Sequence, residues 1–252
     1  MCTATWRREE NGFELLFNRD ELKSRAEAHP PRRRDDGDRP WIAPVDGDFG
    51  GTWIAANSAG LAVGILNGFR RADAFAVDPR SRGLLVADLA DARDVAGLRE
   101  RLLALDLSIY RSFRLLALDP SPAGLVAEWD GERLATDDRA DARRPLVSSS
   151  FDQSDVGLRR RAESARSVGG GEPSLEALRA YHRFTGDGPS AYTVSMERPE
   201  ARTRSLTQVL VRPDGVEMTY HGTRPDLPAP ESVLRLDRES LPSRSSPGPE
   251  AS

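Results

Sequence analysis

Cysteine and lysine are almost absent from this chain of 252 residues, which holds one cysteine, Cys2, and one lysine, Lys23. A single cysteine cannot form an internal disulfide, so we expect a protein of the reducing cytoplasm. With one lysine, nucleophilic lysines and Schiff bases are nearly excluded. The sequence also lacks an apolar run near the roughly 20 residues of a membrane span, and its first residues lack the apolar stretch of a signal peptide.

Positive charge is not in excess either, because 36 Lys and Arg face 40 Asp and Glu for a net charge of −4. This balance argues against nucleic acid as a partner. None of the three histidines (His29, His182 and His221) has a partner at metal-ligand spacing, so each is more typical of a surface or cap residue than of a ligand. Glycine patterns for nucleotides or dinucleotides are missing. We therefore predict no metal and no cofactor.

Hydrophobic periodicity predicts an alternation of hairpins and helix pairs. Helices are expected over 84–89, 95–105, 154–167 and 174–184, with Asp94 as an N-cap. Strands are expected over 13–17, 50–57, 61–67, 113–118, 125–129, 192–196, 206–211 and 215–220. The segment 30–40, rich in Pro, Arg and Asp, is expected to be disordered or exposed. This order indicates a layered α+β domain over residues 1–223, followed by a Pro- and Ser-rich tail over 224–252 that we expect to be disordered.

Cys2 is the most informative residue for function. Removal of Met1, which a small second residue permits, would leave a thiol and a free α-amine on the same residue. The amine, with an ordinary pKa of about 8, can accept the proton of the thiol, so the nucleophile would carry its own base. The alternative is a lone cysteine that lies at position 2 by chance.

The second feature is the polar tetrad Asn18-Arg19-Asp20-Glu21, which directly follows the apolar run 13–17. Polar residues at a strand end are a common place for a site. A carboxylate there can hold the protonated amine of Cys2, and Arg19 can hold a thiolate or a substrate carboxylate. An ordinary solvated turn with an internal ion pair is the alternative.

These residues belong to a larger set of motifs that resembles the NRDE family, which is also called the transport and Golgi organization protein 2 family. The motifs, in chain order, are the initial Met-Cys, the tetrad 18–21, Gly50-Gly51-Thr52-Trp53, the strand 61–67, Ser81-Arg82-Gly83, the segments 195–201 and 203–205, and Tyr220-His221-Gly222. The resemblance covers nearly all of the chain except the tail. That family in turn resembles the cysteine branch of the N-terminal nucleophile hydrolases, which includes choloylglycine hydrolase and penicillin V acylase.

The resemblance implies a four-layer αββα sandwich of two antiparallel sheets. It also implies Cys2 as nucleophile, with Arg19 and Asp20 supporting it, although Arg and Asp are adjacent here and separated by two residues in the hydrolases. Whether Asp20 or Glu21 faces the thiol is therefore open. Asn67 matches a position that helps to form an oxyanion hole, or it caps a turn.

Three further residues complete the candidate site. Asn18 and Glu21 are assigned to substrate binding with the tetrad, and Arg204 either faces the substrate or is an exposed strand arginine. Ser148-Ser149-Ser150 stands where many family members have a Ser-Asn pair, so the amide that the resemblance implies for an oxyanion hole is missing there.

Two functions follow from the resemblance. The first is a hydrolase that cleaves a non-peptide carbon–nitrogen amide through Cys2. The second is a non-catalytic protein on the same fold that binds or transports a small molecule, with haem or an acylated metabolite such as an acyl thioester as the implied ligand. The oligomeric state is not predicted.

Overall fold

The computed structural model describes residues 2–68, 79–168, 171–222 and 232–239. Within these ranges the chain forms thirteen strands and four α-helices. The strands are β1 (Cys2–Glu9), β2 (Gly12–Leu22), β3 (His29–Arg34), β4 (Trp41–Val45), β5 (Ile54–Asn57), β6 (Ala62–Asn67), β7 (Phe113–Leu118), β8 (Gly124–Trp129), β9 (Leu134–Asp137), β10 (Leu146–Ser148), β11 (Ala201–Arg212), β12 (Gly215–His221) and β13 (Ser232–Asp237). The helices are α1 (Arg82–Leu89), α2 (Val95–Ala104), α3 (Gln153–Val168) and α4 (Leu175–Arg183).

The strands form two antiparallel sheets. One sheet has the order β10-β1-β2-β11-β12-β13, and the other has the order β3-β4-β5-β6-β7-β8-β9. Helices α3 and α4 pack on the first sheet, while α1 and α2 pack on the second. The predicted αββα sandwich is therefore confirmed.

Strand alternation in β1 and β2 divides their side chains between two layers. Ala4, Trp6, Phe13, Leu15 and Phe17 enter the core between the two sheets. The side chain of Leu16, on the other face of β2, packs instead against Leu178 of α4. The same alternation continues to the end of β2, where it decides which polar side chains can meet.

Most of the predicted elements are present. The hairpin of β5 and β6, strands β7, β8 and β12, and all four helices lie where the sequence predicted them. The side chain of Asp94 accepts a hydrogen bond from the N–H of Gly97, as expected of an N-cap.

One predicted strand is longer than expected, and another is absent. Strand β2 does not end at residue 17 but runs through the whole tetrad, because the polar side chains there find partners on both faces of the sheet. Residues 192–196 form turns instead of a strand, and the hydroxyl of Thr193 donates to the carbonyl of Ser190, 2.9 Å away.

Two segments expected to be irregular contain strands. His29–Arg34 forms β3, an edge strand of the second sheet, whose arginines 33 and 34 are exposed as predicted. Prolines and charges are tolerated at an edge because one side of the strand needs no partner. Ser232–Asp237 forms β13 on the outer side of β12, with Leu236 buried, so the first sheet extends beyond residue 223. Residues 224–231 and 240–252 lie outside the described residues.

Candidate active site

The site begins with the position of Cys2 at the start of an interior strand. Cys2 pairs with Arg19 of β2 on one side and with Ser148 of β10 on the other, and only 6% of its surface is exposed. Residues paired across antiparallel strands share a face. The thiol therefore lies on the same face as Arg19, between the two sheets.

A cavity of about 500 Å³ opens beside the thiol. Its wall includes four predicted site residues besides Cys2, namely Arg19, Asp20, Glu21 and Asn67. The second sheet and its neighbouring loops supply the opposite wall, including Asp46, Thr52, Trp53, Ile65 and the motif 81–83. The cavity is large enough for a small molecule.

Arg19 is fixed in this cavity by three contacts. Its Nη2 lies 2.7 Å from Oδ2 of Asp46 and 3.4 Å from Oε2 of Glu21. Its guanidinium also lies over the ring of Trp53, 4.5 Å from the centroid. These contacts hold a positive charge on the Cys2 face of the sheet.

The Asp20 carboxylate has different partners, although the residue borders the cavity. Its Oδ2 lies 3.1 Å from Nη1 of Arg160 on α3, and its Oδ1 accepts a hydrogen bond of 2.6 Å from the hydroxyl of Thr203. Arg160 Nη1 also donates to the hydroxyl of Thr3 at 2.6 Å. Asp20 therefore faces the helix layer, and of the two acidic residues in the tetrad it is Glu21 that shares the face of the thiol.

Asn18 also turns away from the cavity. Its Nδ2 donates to the carbonyl oxygens of His182 at 2.8 Å and Val194 at 3.1 Å, and its Oδ1 lies 3.0 Å from Nδ1 of His182. The hydroxyl of Thr5 lies 2.7 Å from Nε2 of the same ring. Since Oδ1 can only accept, Nδ1 carries the proton and Nε2 accepts from Thr5. Asn18 thus joins β2 to α4, and no described contact brings it to the cavity.

Arg204 is not part of the cavity wall either. It lies at an irregularity in the pairing of β11 with β2, and its Nη1 is 3.4 Å from the carbonyl oxygens of Leu22 and Lys23. Its side chain is nearly buried and supports the chain that leaves β2. These contacts give no support to its predicted role in substrate binding.

The histidine at position 182 differs from the sequence-based expectation of a surface or cap residue. Burial, followed by the charges of Arg160 and Arg183, lowers the pKa of His182 to about 3. The ring is therefore neutral in the folded protein at physiological pH. Within the described part of the chain, no group of three His, Cys, Asp or Glu side chains is placed to hold a metal.

The electrostatics of Cys2 combine opposing effects. Burial raises the pKa of the thiol, and the charge of Asp20 acts in the same direction, while a hydrogen bond from the Asp20 backbone and the charge of Arg19 lower it. The net shift is upward. A buried thiol of this kind needs a nearby base before it can act as a nucleophile.

Sequence reasoning missed several residues around the site. Asp46 anchors Arg19, Arg160 pairs with Asp20, and Arg82 borders the cavity near the thiol. Ser148 flanks Cys2, and its buried hydroxyl has no hydrogen-bond partner among the described residues. The motif 81–83 carried a signal for Arg82, but only as part of a resemblance.

A second cavity, of about 550 Å³, lies between α3 and the segment 184–194. Its charged lining residues have partners, since Glu163 pairs with Arg166 at 2.7 Å and Arg159 stacks over Tyr192. Five of the seven predicted site residues line the Cys2 cavity, and none lines this one. We therefore take the Cys2 cavity as the candidate active site.

Several solved structures share this fold. The fold is similar to that of a mutant conjugated bile acid hydrolase from Clostridium perfringens, at 13% identity and a TM-score of 0.53 over 94% of this chain and 92% of that one. It is similar to penicillin V acylase from Agrobacterium tumefaciens, at 14% identity and a TM-score of 0.54 over 94% and 86% of the two chains. It is also similar to the Caenorhabditis elegans ortholog of N-acylethanolamine-hydrolyzing acid amidase, at 10% identity and a TM-score of 0.55 over 94% and 100%.

These likenesses identify the architecture as the αββα fold of the N-terminal nucleophile hydrolases. Residues 1–139, more than half of the chain, match the Transport and Golgi organisation 2 family. The chain belongs to that family, as the sequence motifs predicted. A search of the curated proteins finds no match. Among the described residues, no helix has both the length and the apolar content needed to cross a bilayer.

Proposed function

We propose that this protein is a hydrolase that cleaves a non-peptide carbon–nitrogen amide bond with Cys2 as its nucleophile. The observation that carries the proposal is the position of the thiol, on the first residue of an interior strand and facing a cavity of about 500 Å³ beside Arg19. The likeness of the fold to proteins named as a hydrolase, an acylase and an acid amidase ortholog supports the reaction class.

The reaction requires that Met1 be removed, so that Cys2 carries a free α-amine. The amine takes the thiol proton, and the sulfur attacks the amide carbonyl, forming a carbon–sulfur bond while an electron pair moves onto the oxygen. As the tetrahedral intermediate collapses, the carbon–nitrogen bond breaks and the leaving amine takes the proton from the α-ammonium. Water, deprotonated by the same amine, then hydrolyses the thioester, releases a carboxylic acid and restores the thiol. The raised pKa of the thiol makes this internal base necessary.

Three residues of the tetrad and Asn67 of β6 would assist these steps. Arg19 would stabilise the thiolate by its charge, and the amide of Asn67, at the cavity wall, would donate to the developing oxyanion. Asp20 acts as a positioning residue, because its backbone hydrogen-bonds the sulfur while its carboxylate is bound by Arg160 and Thr203. Glu21 shares the substrate face, where its Oε2 lies 3.4 Å from Arg19.

The alternative is a non-catalytic protein that binds or transports haem or an acyl thioester in the same cavity. Axial ligation of haem uses a Cys thiolate, a His imidazole, a Met thioether or a Tyr phenolate, and here the thiol pKa is raised and the described cavity lining holds no His, Met or Tyr. The donor set therefore does not fit haem. An acyl thioester remains compatible with the cavity. The cytoplasmic location of the protein is a prediction from the sequence.

The test uses protein produced without an N-terminal tag. Intact mass should lack Met1, and a panel of small amides should yield a substrate whose hydrolysis disappears in Cys2→Ala. Cys2→Ser should retain at most a small fraction of the rate. Ser164→Ala, on the buried side of α3 and outside the cavity, is the control for expression and folding. Full activity in both Cys2 variants would refute the nucleophile, and retained Met1 would refute the internal base.

A further inference from the structure

Arginine dominates the charged lining of the Cys2 cavity. Among the described residues, three carboxylate residues border it, which are Asp20, Glu21 and Asp46, against five arginines, which are Arg19, Arg25, Arg80, Arg82 and Arg111. The Asp20 carboxylate forms an ion pair with Arg160 on the other face of the sheet. The described lining therefore has a surplus of positive charge.

Arg19, Arg25 and Arg80 form ion pairs with carboxylates of the described residues. Arg19 and Arg25 share Asp46, at 2.7 Å and 2.6 Å. Arg80 pairs with Asp88 of α1, at 2.6 Å. Their charges are largely compensated by these contacts.

Arg82 differs from these three. It is the first residue of α1, and its Nη1 donates to the carbonyl of Ser112 at 2.9 Å. No carboxylate of the described residues forms an ion pair with it. A neutral carbonyl orients the guanidinium without compensating its charge.

Arg82 lines the same cavity as Cys2 and a second arginine, Arg111. Burial, followed by the charge of Arg111, lowers the pKa of Arg82 to about 10, while Cys2 and Glu21 act in the opposite direction. At neutral pH Arg82 still carries its proton. Two like charges near a partly buried cavity repel each other, and an anion between them would remove this repulsion.

We propose that the substrate carries an anionic group, a carboxylate or a phosphate, that binds at Arg82 and Arg111 while its amide lies against Cys2. This inference rests on the proposed function and names its substrate class. The guanidinium fork suits both anions, because each presents two oxygens at matching spacing. Trp53, Ile65 and Phe49 of the same cavity give an apolar wall, so the preferred substrate is an amide with an anionic and an apolar portion.

The single cysteine of the chain makes a direct test possible. Iodoacetate and iodoacetamide alkylate the same thiol and differ in one negative charge. The ratio of their rates at Cys2, followed by intact mass, is compared with the ratio for N-acetylcysteine. We expect the ratio at Cys2 to exceed that of the free thiol by about threefold to tenfold, a size typical of one partly screened ion pair.

Variants assign the effect to the two arginines. Arg82→Gln and Arg111→Gln should each bring the ratio close to that of N-acetylcysteine. Arg111 is exposed, so its variant keeps the test valid if loss of Arg82 disturbs folding. Arg99→Gln, on α2 and paired with Asp138 outside the cavity, should leave the ratio unchanged.

Competition separates the two anions. Inorganic phosphate or acetate should slow alkylation by iodoacetamide at least threefold in the wild type and not in Arg82→Gln, and the more effective anion indicates the group in the substrate. A ratio equal to that of N-acetylcysteine, or no protection by either anion, would overturn the proposal. So would failure of both reagents to react, since the thiol must open on the cavity.

The outcome is distinguishable from failure of the proposed function, because alkylation needs no turnover. A high, arginine-dependent ratio without amide hydrolysis keeps the anion site and rejects the hydrolase. If Cys2 hydrolyses neutral amides while the ratio of alkylation rates equals that of N-acetylcysteine, the hydrolase stands and the anion site is rejected.

Discussion

Asp20 and Arg160 form an ion pair of 3.1 Å in which neither side chain has any exposed surface. The pair lies on the helix side of the sheet whose other face carries the Cys2 thiol. It links the tetrad of β2 to the middle of α3. The strand that carries Arg19 is therefore held in place from its helix-facing side.

Removal of one partner of this pair should destabilise the fold strongly. We expect Arg160→Met to lower the free energy of unfolding by about 3–5 kcal/mol, because an uncompensated carboxylate stays buried. Urea unfolding measures the change. Arg166→Met, on the same helix but 73% exposed, should cost less than about 1 kcal/mol.

The double variant Asp20→Leu with Arg160→Met tests the cause. Because both charges are gone, it should recover a large part of the stability lost in Arg160→Met. If the double variant instead loses as much stability as Asp20→Leu and Arg160→Met together, the two side chains are not coupled.

His182 should make stability depend on pH. Its pKa in the folded protein is about 3, below the ordinary value of 6.5, so between these values the unfolded chain binds a proton that the folded chain does not. Stability is therefore lost as pH falls below 6.5, by about 1.4 kcal/mol per pH unit from this residue. The measurement is the free energy of unfolding from pH 7 to pH 4, in wild type and in His182→Gln.

The variant should show the shallower slope, by about the amount above. His29→Gln, at an exposed position on β3, is the control and should keep the wild-type slope. Equal slopes in wild type and His182→Gln would mean that the buried ring titrates in the folded state as it does in the unfolded chain, which contradicts the lowered pKa.

The thiol of Cys2 should titrate above the range of an ordinary cysteine. Burial is the main cause, and Arg19 opposes it. The alkylation rate with iodoacetamide, measured against pH, should therefore have its midpoint above that of N-acetylcysteine. Arg19→Gln should move the midpoint higher still, and a downward movement would contradict the role given to this guanidinium.

Two buried hydroxyl groups should respond in opposite ways to removal. The Thr203 hydroxyl donates to Asp20 and accepts from the N–H of Met196, so Thr203→Val should cost about 2–3 kcal/mol. The Ser148 hydroxyl has no partner among the described residues, so Ser148→Ala should be neutral or stabilising. Thermal unfolding of both variants tests this, and a large loss in Ser148→Ala would reveal a bond that holds the hydroxyl.

Local sequence patterns were sufficient for much of the fold. The apolar periodicity of residues 95–104 and the cap at Asp94 predicted α2, and the near-continuous apolar run 61–67 predicted β6. They failed where tertiary contacts decide. The tetrad reads as a strand end because it is polar, yet it stays in the strand because Arg160, Thr203 and His182 satisfy its side chains.

The same limit applies to the site. Cys2 and Arg19 could be named from the sequence because a family resemblance and the chemistry of the two groups agreed. Asp46 could not, and Arg82 was named only as part of a motif, since Asp46 reaches the cavity from the loop after β4 and Arg82 from the first turn of α1. No local signal specifies which loops two stacked sheets bring together.

Because side chains alternate along β2, the four residues of the tetrad contribute to two different parts of the protein. Arg19 and Glu21 contribute to the cavity, whereas Asn18 and Asp20 hold the helix layer in place. In a saturation mutagenesis experiment scored separately for protein abundance and for turnover, the even-numbered positions should behave differently from the odd-numbered ones. Changes at 18 and 20 should deplete the protein itself, and changes at 19 and 21 should leave well-expressed molecules that have lost their chemistry.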